Sequence, residues 1–159
     1  MKTLYIMRHT EKDESKPEQY DYDVELTQKG LEDSETMAQK LKDKKIILDL
    51  IVSSPSMRTR QTAEIVAKTL DYTKNIMYNE VIYQAFVNEI VESLTYTFDN
   101  VDSLMIIGHN PALTGLAITF TEFREEIKMG SIVKIEFDCH SWTTIDKNNA
   151  RFVEQFKVD

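Results

Sequence analysis

The sequence is poor in several features that would point to particular functions. One cysteine, Cys139, in 159 residues rules out a disulfide within the chain and suits a reducing compartment. Four glycines, with no G-x-x-x-x-G-K-[ST] or G-x-G-x-x-G pattern, argue against a nucleotide-phosphate loop. No apolar run approaches the roughly 18 residues of a membrane span. The run that begins after Lys2 stops at Arg8, too early for a secretory signal, so the expected location is the cytoplasm. Basic residues are in deficit, 19 against 27 acids, for a formal net charge of −8. A nucleic-acid binder would carry the opposite excess, so neither nucleic acid nor a membrane is expected as a partner.

What is present reads as a globular chain. The length predicts a single domain over 1–159, and 42% apolar content is ordinary for a protein with a core. Short continuous apolar runs at Thr3–Met7, Leu48–Val52 and Ser103–Ile107 predict buried strands, with a shorter one at Ile76–Tyr78. Between them lie helical patterns. Thr27 is placed to cap a helix running to about Lys44, with Leu31, Ser34, Ala38 and Leu41 inward. Further helices are expected over Met57–Leu70, over Glu89–Phe98 and from Pro111, where proline suits a first turn. Ser131–Asp138 and Arg151–Val158 alternate in polarity and predict a half-exposed antiparallel pair. The whole predicts a three-layer α/β/α sandwich on a mostly parallel sheet. The acidic stretch Glu11–Glu25 reads either as a solvated loop or as a lid or docking edge.

In parallel α/β sheets the ligand crevice lies beyond the carboxyl ends of the strands. Three runs here end in chemistry. The first ends in Arg8-His9, the second is followed by Ser53-Ser54-Pro55 and then Arg58, and the run from Ser103 leads into Gly108-His109-Asn110-Pro111. Parallel strands would gather two arginines and two imidazoles at one edge. Guanidinium forks suit phosphate oxygens, and histidine can act as a nucleophile. Nearby guanidinium groups lower an imidazole's pKa and keep it neutral, and the same donors would stabilise a phosphoryl transition state. Taken singly, each of these residues reads as a surface or loop residue; the coincidence of all three strand ends carries the argument.

These residues are similar to a known set of motifs. Arg8-His9-Thr10, Ser53-Ser54-Pro55-Ser56-Met57-Arg58-Thr59-Arg60-Gln61-Thr62-Ala63 and Gly108-His109-Asn110-Pro111 resemble the signatures of the histidine phosphatase, or phosphoglycerate mutase-like, superfamily. Leu26-Thr27 with Gly30 resembles its element at the start of the first helix. The resemblance implies a phosphoglycerate mutase-like fold with a minimal cap. It implies that His9 becomes a transient phosphohistidine, that Arg8, Arg58 and His109 hold the phosphoryl oxygens, and that no metal or cofactor takes part. The short form resembles SixA-type phosphohistidine phosphatases. The implied partner is then a phosphorylated protein such as a histidine phosphotransfer domain, with a small phosphorylated metabolite as the alternative.

The resemblance is incomplete at two points. The third signature residue is Thr10, where the family has glycine; its side chain would either crowd the pocket or touch phosphate. A general acid is the second, with Glu80, just beyond the presumed third strand, as the candidate and Glu11 behind it. A phosphohistidine substrate relaxes that demand, because its leaving imidazole can already carry a proton. Arg60 falls off the motif and is assigned to the surface. A metal site from His9, His109, Cys139 and His140 is disfavoured by the arginines. A pocket that binds phosphate without turnover is the alternative of a different class.

Overall fold

The computed structural model describes residues 1–159. Six strands form one sheet in the order β3-β2-β4-β1-β5-β6, with β1 at Lys2–Arg8, β2 at Leu50–Ser53, β3 at Met77–Tyr78, β4 at Ser103–Gly108, β5 at Ile132–Phe137 and β6 at Ala150–Phe156. The pairs β1–β4, β4–β2 and β2–β3 are parallel, while β5 joins β1, and β6 joins β5, antiparallel. The helices are α1 at Gln28–Asp43, α2 at Met57–Thr69, α3 at Val87–Thr95 and α4 at Ala112–Phe120.

The continuous apolar runs reflect burial on both faces. Along β1, Tyr5 and Met7 pack with Met37, Ala38 and Leu41 of α1 and Ala63 and Val66 of α2. Leu4 and Ile6 face the other way, into a core with Ile90 and Leu94 of α3 and Leu113 and Leu116 of α4. The expected α/β/α sandwich is therefore present. The expected antiparallel pair is β5 with β6, and β5 alternates as expected, with Val133, Ile135 and Phe137 buried and Lys134 and Glu136 partly exposed; Ile132 is buried as well.

Register sets the strand ends level. Met7 and Ser53 both lie opposite Ile107, and Arg8 lies opposite Gly108. Ser54 therefore comes level with Arg8 and Gly108, and His9 and His109 emerge together one residue beyond.

The acidic segment 10–26 is an ordered strap. Lys12 bridges Leu26, Asp13 N donates to Glu25 O at 2.8 Å, and Thr27 N donates to Glu11 O at 3.0 Å. Thr27 Oγ1 caps α1 by accepting from Gly30 N at 3.0 Å. The strap crosses α1 at Gly30, where a Cβ would lie 2.3 Å from Glu11 O. Only glycine allows that approach. Gly30 is consequently the buried position of this turn, and Leu31, expected to face inward, is only partly buried.

Candidate active site

Arg8, His9, Arg58 and His109 converge at the carboxyl edge of the sheet. The rings of His9 and His109 lie 5.4 Å apart, and Arg58 Nη2 lies 3.4 Å from His109 Nδ1. His9 sits just past β1, its backbone N donating to Gly108 O at 3.3 Å, and it is 4% exposed. Arg58 lies in the first turn of α2 and is 5% exposed.

The hydrogen bonds fix the tautomer of His9. Its Nδ1 lies 2.7 Å from Thr10 O. A carbonyl can only accept, so Nδ1 carries the proton, and the lone pair of a neutral ring is on Nε2. His109 Nε2 is 2.8 Å from Ser54 Oγ. Arginine can only donate, so His109 Nδ1 is the acceptor toward Arg58 and Nε2–H donates to Ser54.

Both imidazoles are held neutral. Burial lowers the His9 pKa to about 4, the Thr10 carbonyl opposes this, and the charges of Arg58 and Arg8 lower it further. His109 falls to about 3 through burial first and Arg58 second. The arginines expected to cause this neutrality thus contribute less than removal from water.

The guanidinium groups are anchored by their outer nitrogens. Arg8 Nη1 donates to Ile127 O at 3.2 Å and lies 3.6 Å from Glu126. Arg58 Nη1 donates to Asp21 O at 2.6 Å and Nη2 to Asp21 Oδ2 at 3.0 Å. The Nε of each arginine is buried without any hydrogen-bond partner. Buried donors are almost always satisfied, and an unsatisfied one costs about 1–3 kcal/mol, more when charged. Two such donors on neighbouring cations describe a receptor for an anion.

The remaining candidates divide between structural and peripheral positions. Thr10 does neither of the things expected of it: its hydroxyl bonds Gly30 O and Ser34 Oγ at 2.7 and 2.8 Å, and its methyl lies against Gly130. Glu80, in a short 3₁₀ turn after β3, is exposed and accepts from Tyr22 OH at 3.3 Å. Glu11 lies over the start of α1, its backbone against Gly30. Arg60 is half-buried and stacks over the Tyr78 ring at 3.9 Å. Cys139 and His140 come after β5, whose last residue Phe137 lies opposite Lys2, so they sit at the other edge of the sheet from His9. No group of three or more His, Cys, Asp or Glu side chains is disposed to hold a metal ion.

Three residues of the site escape sequence reasoning: Ser54 as a partner of His109, Asp21 and Tyr83. Tyr83 OH donates to Asp21 Oδ2 at 2.7 Å. Burial pushes the Asp21 carboxyl up, but the bonds from Tyr83 and Arg58 and the charge of Arg58 outweigh it and leave the pKa lowered. Tyr83 is pushed up to about 12 by burial and by Asp21. Nothing in the local sequence marks either residue, because they reach the site from a loop and a turn.

Comparison with known proteins bears on the family and the fold. The model of the histidine phosphatase superfamily (branch 1) matches residues 4–86, a span that includes Arg8, His9, Arg58 and Glu80. The structure of the protein histidine phosphatase SixA complexed with tungstate superimposes with a TM-score of 0.82 at 23% identity, over 98% of this chain and 97% of that one. The putative phosphohistidine phosphatase SixA from Agrobacterium tumefaciens gives 0.83 at 21%, over 98% and 97%. A mycobacterial glucosyl-3-phosphoglycerate phosphatase gives 0.73 at 13%, over 96% and 97%. These are likenesses of fold. By sequence, an uncharacterised protein of Mycobacterium tuberculosis is 28% identical over 98 residues, 62% of this chain and 60% of its own length. No helix is long and apolar enough to cross a membrane.

Proposed function

Because this chain belongs to the histidine phosphatase superfamily, we propose that it is a metal-independent phosphatase working through a phosphohistidine on His9. Residues 1–159 would form a single histidine phosphatase domain, acting in the cytoplasm. The observation that carries this reading is the pair of unpartnered, buried arginine Nε groups beside a neutral histidine whose Nδ1 is tied to a carbonyl.

The donors present dictate the steps. The Nε2 lone pair of His9 attacks phosphorus in line, the bond from phosphorus to the leaving atom breaks, and the phosphoryl group passes to Nε2. Arg8 and Arg58 meet the charge on the phosphoryl oxygens with donors that need no reorganisation. A dianion beside His109 favours its protonated form, so Nδ1 turns from acceptor to donor toward a phosphoryl oxygen. The Thr10 carbonyl stabilises the positive charge that develops on the His9 ring. Water then attacks phosphorus, the bond to His9 breaks, and inorganic phosphate leaves.

The substrate class is argued from the acids. The carboxyl that touches Arg58, Asp21, is held ionised, and Glu80 is an exposed rim residue. An ester leaving group needs a proton from a carboxylic acid, whereas the imidazole of a phosphohistidine leaves with a proton on its other nitrogen. We therefore assign phosphohistidine on a phosphotransfer protein as the substrate, in preference to a small phosphorylated metabolite. SixA, whose fold this chain shares, is a protein histidine phosphatase.

The test is phosphate release from a phosphohistidine phosphotransfer domain, from phosphoramidate and from a simple phosphate ester. Turnover of the N-phosphoryl substrates with little of the ester is expected. A preference for the ester would overturn the substrate class. Phosphate bound without turnover of any substrate would overturn the enzyme in favour of a phosphate-recognition module.

A further inference from the structure

The strap over the site carries a residue no motif assigns. Asp21 reaches Arg58 with two different oxygens, its backbone carbonyl on Nη1 and its Oδ2 on Nη2. Together these cover the end of the guanidinium fork. The Nε–H on the other edge is the donor left without a partner, and the second hydrogen of Nη2 is on the side of His109. Asp21 is itself held. Tyr83 OH donates to the same Oδ2, and the Tyr83 ring packs edge-on against His109 at 5.6 Å and Tyr22 at 5.1 Å. Tyr22 in turn donates to Glu80, which ties the strap to the turn after β3.

Two roles suit an acid in contact with an anion-binding arginine. As a plug, its carboxylate would stand where the phosphoryl oxygens go and would have to retract. As a clamp, it would grip the far edge and leave the near one free. The geometry favours the clamp. The edge that Asp21 covers is not the one bearing the unpartnered Nε, and one of its two contacts is a neutral carbonyl that mimics no phosphate oxygen.

We propose that Asp21 is a positioning residue that clamps the outer edge of Arg58, with Tyr83 holding the clamp, so that the strap is a working part of the anion site. This rests on the function proposed above for the identity of the anion. The cost of ordering a long arginine side chain is then met before substrate arrives.

The test is calorimetric binding of tungstate, an oxyanion of phosphate's charge and shape, to the intact protein. Wild type, Asp21→Asn, Asp21→Ala, Arg58→Ala and the Asp21→Ala/Arg58→Ala double variant are compared, with melting temperature as the check on folding. Asp21→Ala is expected to weaken tungstate by about tenfold, as expected for loss of a charge-assisted anchor. Asp21→Asn, whose amide oxygen still accepts, should weaken it less. On the Arg58→Ala background, loss of Asp21 should cost nothing further, because the residue acts through Arg58. Unchanged or tighter binding by Asp21→Ala, or additive losses in the double variant, would overturn the clamp. Tighter binding would identify a plug. Failure of wild type itself to bind would overturn the phosphoryl-site reading and the clamp with it. Should Asp21→Ala not fold, Asp21→Asn carries the same comparison.

Discussion

A buried cation lies beside each end of β1, Lys2 at one and Arg58 of α2 at the other, and the two are treated in opposite ways. At the amino end Lys2, 2% exposed, has three N–H groups and three acceptors: Asp99 O at 2.6 Å, Val101 O at 3.0 Å and Asp102 Oδ1 at 2.9 Å. Nothing is left over. At the carboxyl end Arg8 and Arg58 are anchored only by their outer nitrogens, and each keeps a buried Nε–H without a partner. All three are cations whose N–H groups need acceptors. What separates a structural cation from a functional one is whether its donors are all used. The first end stabilises the fold; on the proposed function, the second gives up stability to keep donors ready for an anion.

Substitutions should separate the two ends cleanly. The largest effect is expected from Arg58→Ala, which should lower kcat/KM by about 10²–10³-fold, as for loss of one preorganised donor. Its melting temperature should change little, because the lost Asp21 bonds are offset by removal of an unsatisfied buried cation. A large loss of stability with activity retained per folded molecule would contradict the comparison. Lys2→Met should do the reverse. It should cost about 1.5–3 kcal/mol in denaturant unfolding, the range for hydrogen bonds to a charged group, and leave kcat unchanged. A fall in kcat would show that the two ends are coupled.

A smaller effect concerns pH. Unfolded imidazole takes up its proton near pH 6.5, whereas His9 in the fold does so only near 4. Between those values the unfolded state binds more protons, so stability falls as pH falls from about 6.5 to about 4. His9→Gln removes this contribution and should lose less melting temperature than wild type between pH 7 and pH 5. Equal losses would mean that His9 is not held neutral by its surroundings. The fraction of the protein with a free Nε2 lone pair on His9 should stay level from neutral pH down through 5.

Much of this contrast is legible in the sequence, and the reasons are physical. A strand buried on both faces is a continuous apolar run, so its end is visible where Arg8 or Ser53 interrupts it. Parallel pairing carries those ends to one edge, which is how Arg8, His9, Arg58 and His109 can be grouped without any geometry. The alternation of β5 is legible, but its place between β1 and β6 is not, because alternation along the chain says nothing about which strands flank it. The role of Thr10 stays open because its hydroxyl partner, Gly30 O, and the glycine that admits its methyl, Gly130, are set by tertiary approach. Asp21 and Tyr83 leave no trace in the sequence at all. They come from irregular segments with no periodicity, and their role exists only through contact with Arg58.

On the proposed mechanism His9 forms the covalent bond to phosphorus. The direct measurement is a rapid quench of wild type and His9→Ala with a 32P-labelled phosphohistidine phosphotransfer domain, followed by denaturing separation of the two proteins. The prediction is acid-labile, base-stable label on the wild-type chain within one turnover and none on His9→Ala, with phosphate release abolished in the variant. Label that persists in His9→Ala, or continued phosphate release without His9, would contradict the account.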